Sequence, residues 1–259
     1  MIVPKKGSHP LESRNTKCLP AKARRAKEGE LRTMQTPAER CLIQNVIASL
    51  PSSDGKKLST ALNIGAGKSL VIERAVAESV PRFVCDRVDV ESHHVRHSNV
   101  RDEYTASVES MAGVPSNAYD AAFANYVLEH VPDIGKAAKE IHRVLKKDGR
   151  FIASVPNPQA PEFFISRITP KWFHQLVKGK GEGKEAFETA YAYKNIRTLN
   201  RMFERAGFKT VAVRRSSFVL GYLYRFPVLR AIGRIYDAIV NALRLTPLMG
   251  HACVTYRKT

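Results

Sequence analysis

Ser59-Thr-Ala-Leu-Asn-Ile-Gly-Ala-Gly67 is a short apolar run that breaks into a Gly-x-Gly turn, and a helix-like segment follows it. Some twenty residues on, a second apolar run ends in an acid, Asp89 within Val88-Asp89-Val90. A glycine turn lets a ligand approach the backbone closely, and an acid at the next strand end can hold the two hydroxyls of a ribose. The pair points to a nucleoside-containing cofactor.

Outward from this unit, strand-like and helix-like pieces alternate. Strands are expected at 59–64, 82–89, near 104–108, 119–125, 150–155, 209–215 and 251–257, and helices at 69–79, 133–146 and 196–206. A further helix begins at Thr36-Pro37 and runs to Leu50, with Leu42, Ile43, Val46 and Ile47 at helical spacing. This rhythm predicts an α/β fold, with a mostly parallel sheet covered by helices on both faces. Gly207, in Ala206-Gly207-Phe208, occupies a helix C-cap position.

The flanking regions differ in character. Residues 1–33 mix Lys, Arg, Pro, Gly and Ser with almost no apolar period and read as a disordered basic tail, leaving 34–259 as the folded domain. Residues 156–195 hold a Pro-rich stretch and an aromatic cluster, and 218–248 form an apolar-basic segment.

The chain has 259 residues, enough for a sizeable core, and a formal charge of +18. Nine Lys/Arg face three acids over 1–32 and 22 face seven over 142–259, whereas the middle is near neutral. Such a field attracts anions: nucleic acid, an acidic membrane or a phosphorylated substrate. Four scattered cysteines without CxxC spacing indicate neither a zinc site nor a disulfide framework and fit a reducing cytosol. With no secretory signal and no uninterrupted apolar run near the ~18–20 residues that span a bilayer, a cytoplasmic protein, at most peripheral at a membrane, is expected.

Gly65-Ala66-Gly67-Lys68-Ser69 ends like a phosphate-binding loop, but that loop needs a glycine where Leu62 stands. Nor is it the full dinucleotide fingerprint, since Leu70 takes the third glycine position.

Taken together, Leu62-Asn-Ile-Gly-Ala-Gly67, Val88-Asp-Val90, Tyr119-Asp-Ala-Ala-Phe-Ala-Asn-Tyr-Val-Leu-Glu-His-Val131, Glu140-Ile-His-Arg-Val-Leu-Lys-Lys-Asp-Gly149 and Ser154-Val-Pro-Asn157 resemble, in order and spacing, the class I S-adenosylmethionine-dependent methyltransferases. The likeness covers residues 58–259 and is greatest to the small bacterial methyltransferase-domain group. It implies a Rossmann-like, seven-stranded sheet with a helical cap in the C-terminal half, and S-adenosyl-L-methionine as cofactor. It assigns the methionine end to Gly65, Ala66, Gly67 and Asn125, the ribose to Asp89 with Asp86 as competitor, and the adenine to Ser107, Val108 and Glu109. Asn63 and Ser107 stand where the family commonly has Asp, which removes charge but keeps hydrogen-bonding capacity.

Glu129-His130 follows the fourth strand, where some relatives carry Glu-x-x-Glu-His and bind a divalent metal. The first of those three ligands is Tyr126 here, so no metal is expected. His130 and His174 are the candidate general bases, set against the plainer role of packing residues. Trp172, Tyr191, Tyr193 and Lys194 are the candidate acceptor contacts, because aromatic rings with polar tips suit a sugar or ring substrate; the same residues could simply pack the cap.

Along 228–244, Val228, Leu229, Ile232, Ile235, Tyr236, Ile239, Val240 and Leu243 share one face, and Arg230, Arg234, Asp237, Asn241 and Arg244 fill the other. Ordinary surface-helix behaviour turns the apolar face to the core. Lying on an acidic bilayer, covering the acceptor pocket or meeting a dimer partner are the alternatives.

The function expected is methyl transfer to an oxygen or nitrogen of a small molecule, glycan or lipid-linked intermediate. RNA is the rival acceptor, although Asn125-Tyr-Val-Leu128 lacks the Asn/Asp-Pro-Pro-Tyr/Phe signature of base-amino methyltransferases. A non-catalytic binding or membrane-docking module is the second rival.

Overall fold

A computed structural model describes residues 35–51, 57–161, 163, 189–223 and 227–259. The basic tail, Trp172, His174 and most of the expected cap lie outside them. Within Thr36–Thr259, the compact unit, seven strands form one sheet in the order β3-β2-β1-β4-β5-β7-β6. They are β1 Ser59–Ile64, β2 Phe83–Asp89, β3 Val100–Thr105, β4 Tyr119–Asn125, β5 Leu145–Pro156, β6 Phe208–Ser216 and β7 His251–Lys258. All pair in parallel except β7, which runs antiparallel to β5 and β6. The expected Rossmann-like, seven-stranded fold is present.

Alternation along each strand assigns the two faces. Leu62 and Ile64 of β1, Ala122 and Ala124 of β4, and Phe151 and Ala153 of β5 face one layer. That layer holds helices α3 (Ile134–Val144) and α4 (Ile196–Arg205), through Ile134, Ala137, Ile141, Leu199 and Phe203. Ala61, Ala121, Phe123 and Ile152 face the other, made by α1 (Pro37–Ser49) and α2 (Val71–Ala77) through Leu42, Val46, Ile72 and Val76.

The caps follow from side-chain chemistry. Thr36 accepts a hydrogen bond from Glu39 N at 3.1 Å at the start of α1, with Pro37 in the first turn. Asp133 does the same for Lys136 N before α3, and Asn195 for Thr198 N before α4. Gly207 ends α4 with φ +91°.

β5 begins at Leu145 instead of 150, directly after α3, and two further elements differ from expectation. The third strand lies at Val100–Thr105, not 104–108, because residues 107–110 close a tight turn bridging Ser107 to Ser110. The segment 218–248 divides into α5 (Leu220–Leu223) and α6 (Pro227–Ala242), and most of the apolar stripe of α6 faces solvent instead of the core, while Val240 turns inward. The cause is on the inner face. Gly233 brings α6 so close to α5 that a Cβ there would lie 3.1 Å from Leu220 Cα. Asp237 points inward, accepting hydrogen bonds from Ser217 Oγ and from the backbone N–H groups of Val219 and Leu220. With Gly233, Asp237 and Val240 inward, the stripe has nowhere to go but out.

Candidate functional site

The carboxyl ends of β1, β2, β3 and β4 open into one cavity of about 390 Å³. It lies where the sheet order reverses, between β1 and β4. Open α/β sheets place their ligand crevice there because the loops from neighbouring strands run to opposite faces.

The glycine turn forms its floor. Gly65 and Gly67 have φ +65° and +55°, the left-handed region that a side chain strains. Gly65 is also sterically obligatory, since a Cβ there would sit 2.4 Å from Val127 Cγ2. Over Gly67 nothing lies within 4 Å of such a Cβ, so this backbone faces open space.

Beneath the turn is a buried cluster. Arg87, fully buried in β2, donates to the carbonyls of Ala66 (2.9 Å), Gly67 (2.6 Å) and Ser69 (3.2 Å). Glu73 of α2 neutralises it at 3.0 Å, and Asn63 donates to the same carboxylate at 2.8 Å. The guanidinium fork thus holds the turn's carbonyls downward and leaves its upper face clear.

The two competing acids separate cleanly. Asp86 is fully buried, accepting from Arg101, from Tyr119 Oη at 2.7 Å and from Asp102 N. Asp89 lines the cavity; its carboxylate accepts from Gly67 N at 2.8 Å and Glu91 N at 3.1 Å. A carboxylate offers about four lone-pair sites, so the two left over suffice for a vicinal diol.

Ser107, Val108 and Glu109 line the cavity beside Val88 and Val90, giving an apolar slot with polar edges. Glu109 also accepts from Asp133 N at 2.6 Å, fixing the adjoining loop. Asn125 and His130 also line the cavity. Asn125 donates to Glu39 of α1 at 3.3 Å and accepts from Ser154 Oγ.

Several expected site residues fall elsewhere. Asn63 and Ala66 do not line the cavity: Asn63 stands behind the turn on Glu73, and Ala66 offers its carbonyl to Arg87. Tyr193 is fully buried in the core with its hydroxyl on Pro156 O at 3.0 Å, so it is a packing residue. Tyr191 is half-buried, its N–H donating to Glu129 O at 3.0 Å, and Lys194 is exposed. Neither is part of the cavity wall.

Sequence reading missed Arg87 and Tyr126. An arginine within Val84-Cys-Asp-Arg-Val88 was the available sign, since a charge inside a buried strand demands a partner. Tyr126, with φ +55°, lines the cavity. Its hydroxyl lies 2.9 Å from Thr36 Oγ1 and 2.7 Å from Nδ1 of buried His251. Burial lowers His251 to about 4, so the ring is neutral at ordinary pH. Nearby Glu129 is also buried, which pushes its carboxyl up to about 8.

The residues present fit an adenosyl cofactor: an uncluttered glycine turn, a lining carboxylate with spare acceptor capacity, and an apolar slot with a serine at its edge. Comparisons with known proteins agree. The family model described as "Methyltransferase domain" matches residues 34–213. A demethylmenaquinone methyltransferase of Staphylococcus aureus is 30% identical over 131 residues, 44% of this chain and 54% of that protein. An arginine-hydroxylase, NDUFAF5 of Rattus norvegicus mitochondria, is 25% identical over 165 residues, 62% of this chain and 46% of that protein. The chain therefore spans about half the length of the curated relatives it matches. Among solved structures, an S-adenosylmethionine-dependent methyltransferase of Mesorhizobium loti superposes with TM-score 0.52 at 14% identity, covering 83% of this chain and 96% of that one.

Proposed function

This chain belongs to the methyltransferase-domain family, and on that premise we propose that it transfers a methyl group from S-adenosyl-L-methionine to an oxygen or nitrogen of a small molecule, glycan or lipid-linked intermediate. The observation that carries the reading is Asp89, a carboxylate at the carboxyl end of β2 that lines the cavity and is tied to Gly67 N, with acceptor capacity to spare.

When bound, the cofactor supplies a methyl group made electrophilic by its sulfonium. The chain's own residues do the rest. Asp89 accepts the ribose hydroxyls, Ser107, Val108 and Glu109 bound the base, and Gly65, Gly67 and Asn125 border the methionine end. Arg87 and Glu73 hold the turn in shape. Alignment of donor and acceptor supplies most of the acceleration in such displacements, because it converts a bimolecular step into one within a complex. His130, on the cavity wall, takes the proton when the acceptor must lose one.

One fold hosts different reactions, as the hydroxylase relative illustrates, so the cofactor has to be tested directly. Titration calorimetry with S-adenosyl-L-methionine should give heat of binding, and Asp89→Ala should weaken the affinity by about 1–3 kcal/mol. Unchanged affinity would place the ribose elsewhere, and no heat at high protein concentration would favour a non-catalytic module. His130→Gln should leave this affinity alone and lower the turnover of labelled methyl into a cell extract.

A further inference from the structure

The outward face of α6 has no assigned role and is unusual for a water-facing helix. Val228, Ile232, Ile235, Ile239 and Leu243 follow one another at spacings of four, three, four and four, which puts them in a single stripe. Their exposures are 73, 55, 62, 50 and 66%. Scattered exposed apolar side chains are normal, but five large ones in a continuous stripe mark a contact surface.

The charge on the rest of the helix's exposed surface, across from the stripe, points to the partner. Arg230, Arg234 and Arg244 are all exposed. Asp237, the single acid between Pro227 and Leu245, is turned inward onto Ser217, Val219 and Leu220. The outward surface of α6 is therefore apolar and basic with no carboxylate to repel an anionic layer. Arginine stems are long enough to carry their heads to phosphates while the stripe enters the acyl boundary. Two copies of a +18 chain repel one another, which disfavours a self-dimer. The helix is 16 residues, about 24 Å long, and among the described residues no helix is long and apolar enough to cross a membrane.

We propose that α6 docks this protein on the surface of an anionic lipid bilayer, lying in the interface with Ile232, Ile235 and Ile239 inserted and Arg230 and Arg234 at the headgroups. The mounting is firm: Asp237 fastens α6 to α5, whose Tyr222 stacks on His251 at 6.2 Å, and His251 holds the cavity-lining Tyr126. Docking thus brings a lipid surface within a short chain of side chains from the cavity.

The experiment is flotation of the full chain with extruded vesicles, one set of pure phosphatidylcholine and one of phosphatidylcholine mixed with phosphatidylglycerol. The chain should float with the mixed vesicles and not with the neutral ones, and salt should weaken the binding. The double variant Ile235→Glu, Ile239→Glu should lower partitioning about tenfold or more, since it removes two inserted side chains. Both sites are exposed, so its circular dichroism and its affinity for S-adenosyl-L-methionine should match the parent; this separates a docking failure from a cofactor-site failure. Arg230→Gln, Arg234→Gln should weaken binding to mixed vesicles. Partitioning that the isoleucine variant leaves unchanged would overturn the proposal, because the charge would then act from elsewhere. So would light scattering that shows a dimer dispersed by the same variant, which would assign the stripe to a second copy.

Discussion

Replacing Glu129 by Gln should flatten the alkaline decline of this protein's stability. The side chain is 6% exposed, and its Oε2 has no hydrogen-bond partner among the described residues. Burial disfavours its charged form and moves the carboxyl from 4.5 to about 8. The unfolded chain releases this proton near 4.5, whereas the native chain keeps it until about 8. Between those values the native state holds more protons, so stability falls as pH rises. The contribution is whole below 4.5 and lost by the time pH passes about 8. At about 1.36 kcal/mol per unit the full span is worth about 5 kcal/mol, of which about 3 kcal/mol falls between pH ~5 and pH ~8.

His251 acts in the opposite sense. Burial lowers it from 6.5 to about 4, so its contribution is present above 6.5 and is lost as pH falls toward 4. It is common to parent and variant and cancels in their difference. Urea unfolding followed by circular dichroism, at steps between pH ~5 and pH ~8, gives that difference. The glutamine variant should gain about 3 kcal/mol on the parent across the range. A constant gap would mean that the native carboxyl titrates as a solvated one, and the burial reasoning would be wrong.

Other substitutions probe the site's scaffold. Gly65→Ala should destabilise by about 2–4 kcal/mol in thermal or urea unfolding, because it adds left-handed strain to a clash with Val127. Gly67→Ala, with open space above it, should cost only the strain, about 1 kcal/mol, yet weaken calorimetric binding of S-adenosyl-L-methionine by entering the cavity. Arg87→Met should cost about 3–5 kcal/mol in urea unfolding, because Glu73 is left as a buried charge without its cation. The further change Glu73→Gln in that background should recover part of the loss.

Much of the fold was legible because its causes are local. Strands 59–64 and 119–125 appear with the expected bounds, since a buried parallel strand reads as an apolar run ended by a turn. The caps at Thr36 and Gly207 follow from side-chain reach and left-handed tolerance, properties of a few adjacent residues. The cavity that gathers the glycine pair and Asp89 was legible for the same reason: each closes a strand, and parallel strands align their carboxyl ends.

What the sequence could not show depended on partners distant along the chain. Asp86 and Asp89 look alike as residues, and only Arg101 and Tyr119, brought across neighbouring strands, make the first a structural anchor and free the second for the cavity. Tyr193 became core because Pro156 O lay within reach of its hydroxyl. Amphipathicity established that α6 has two unlike faces, but Gly233 and Asp237 decided which one turned inward. By itself the sequence determined the sheet, the glycine turn and the acid beside it, because periodicity and turn chemistry act over a few residues. The tertiary structure alone decided which charges are neutralised, which aromatic is buried and which face meets the solvent, because burial and pairing are set by neighbours that only folding brings together.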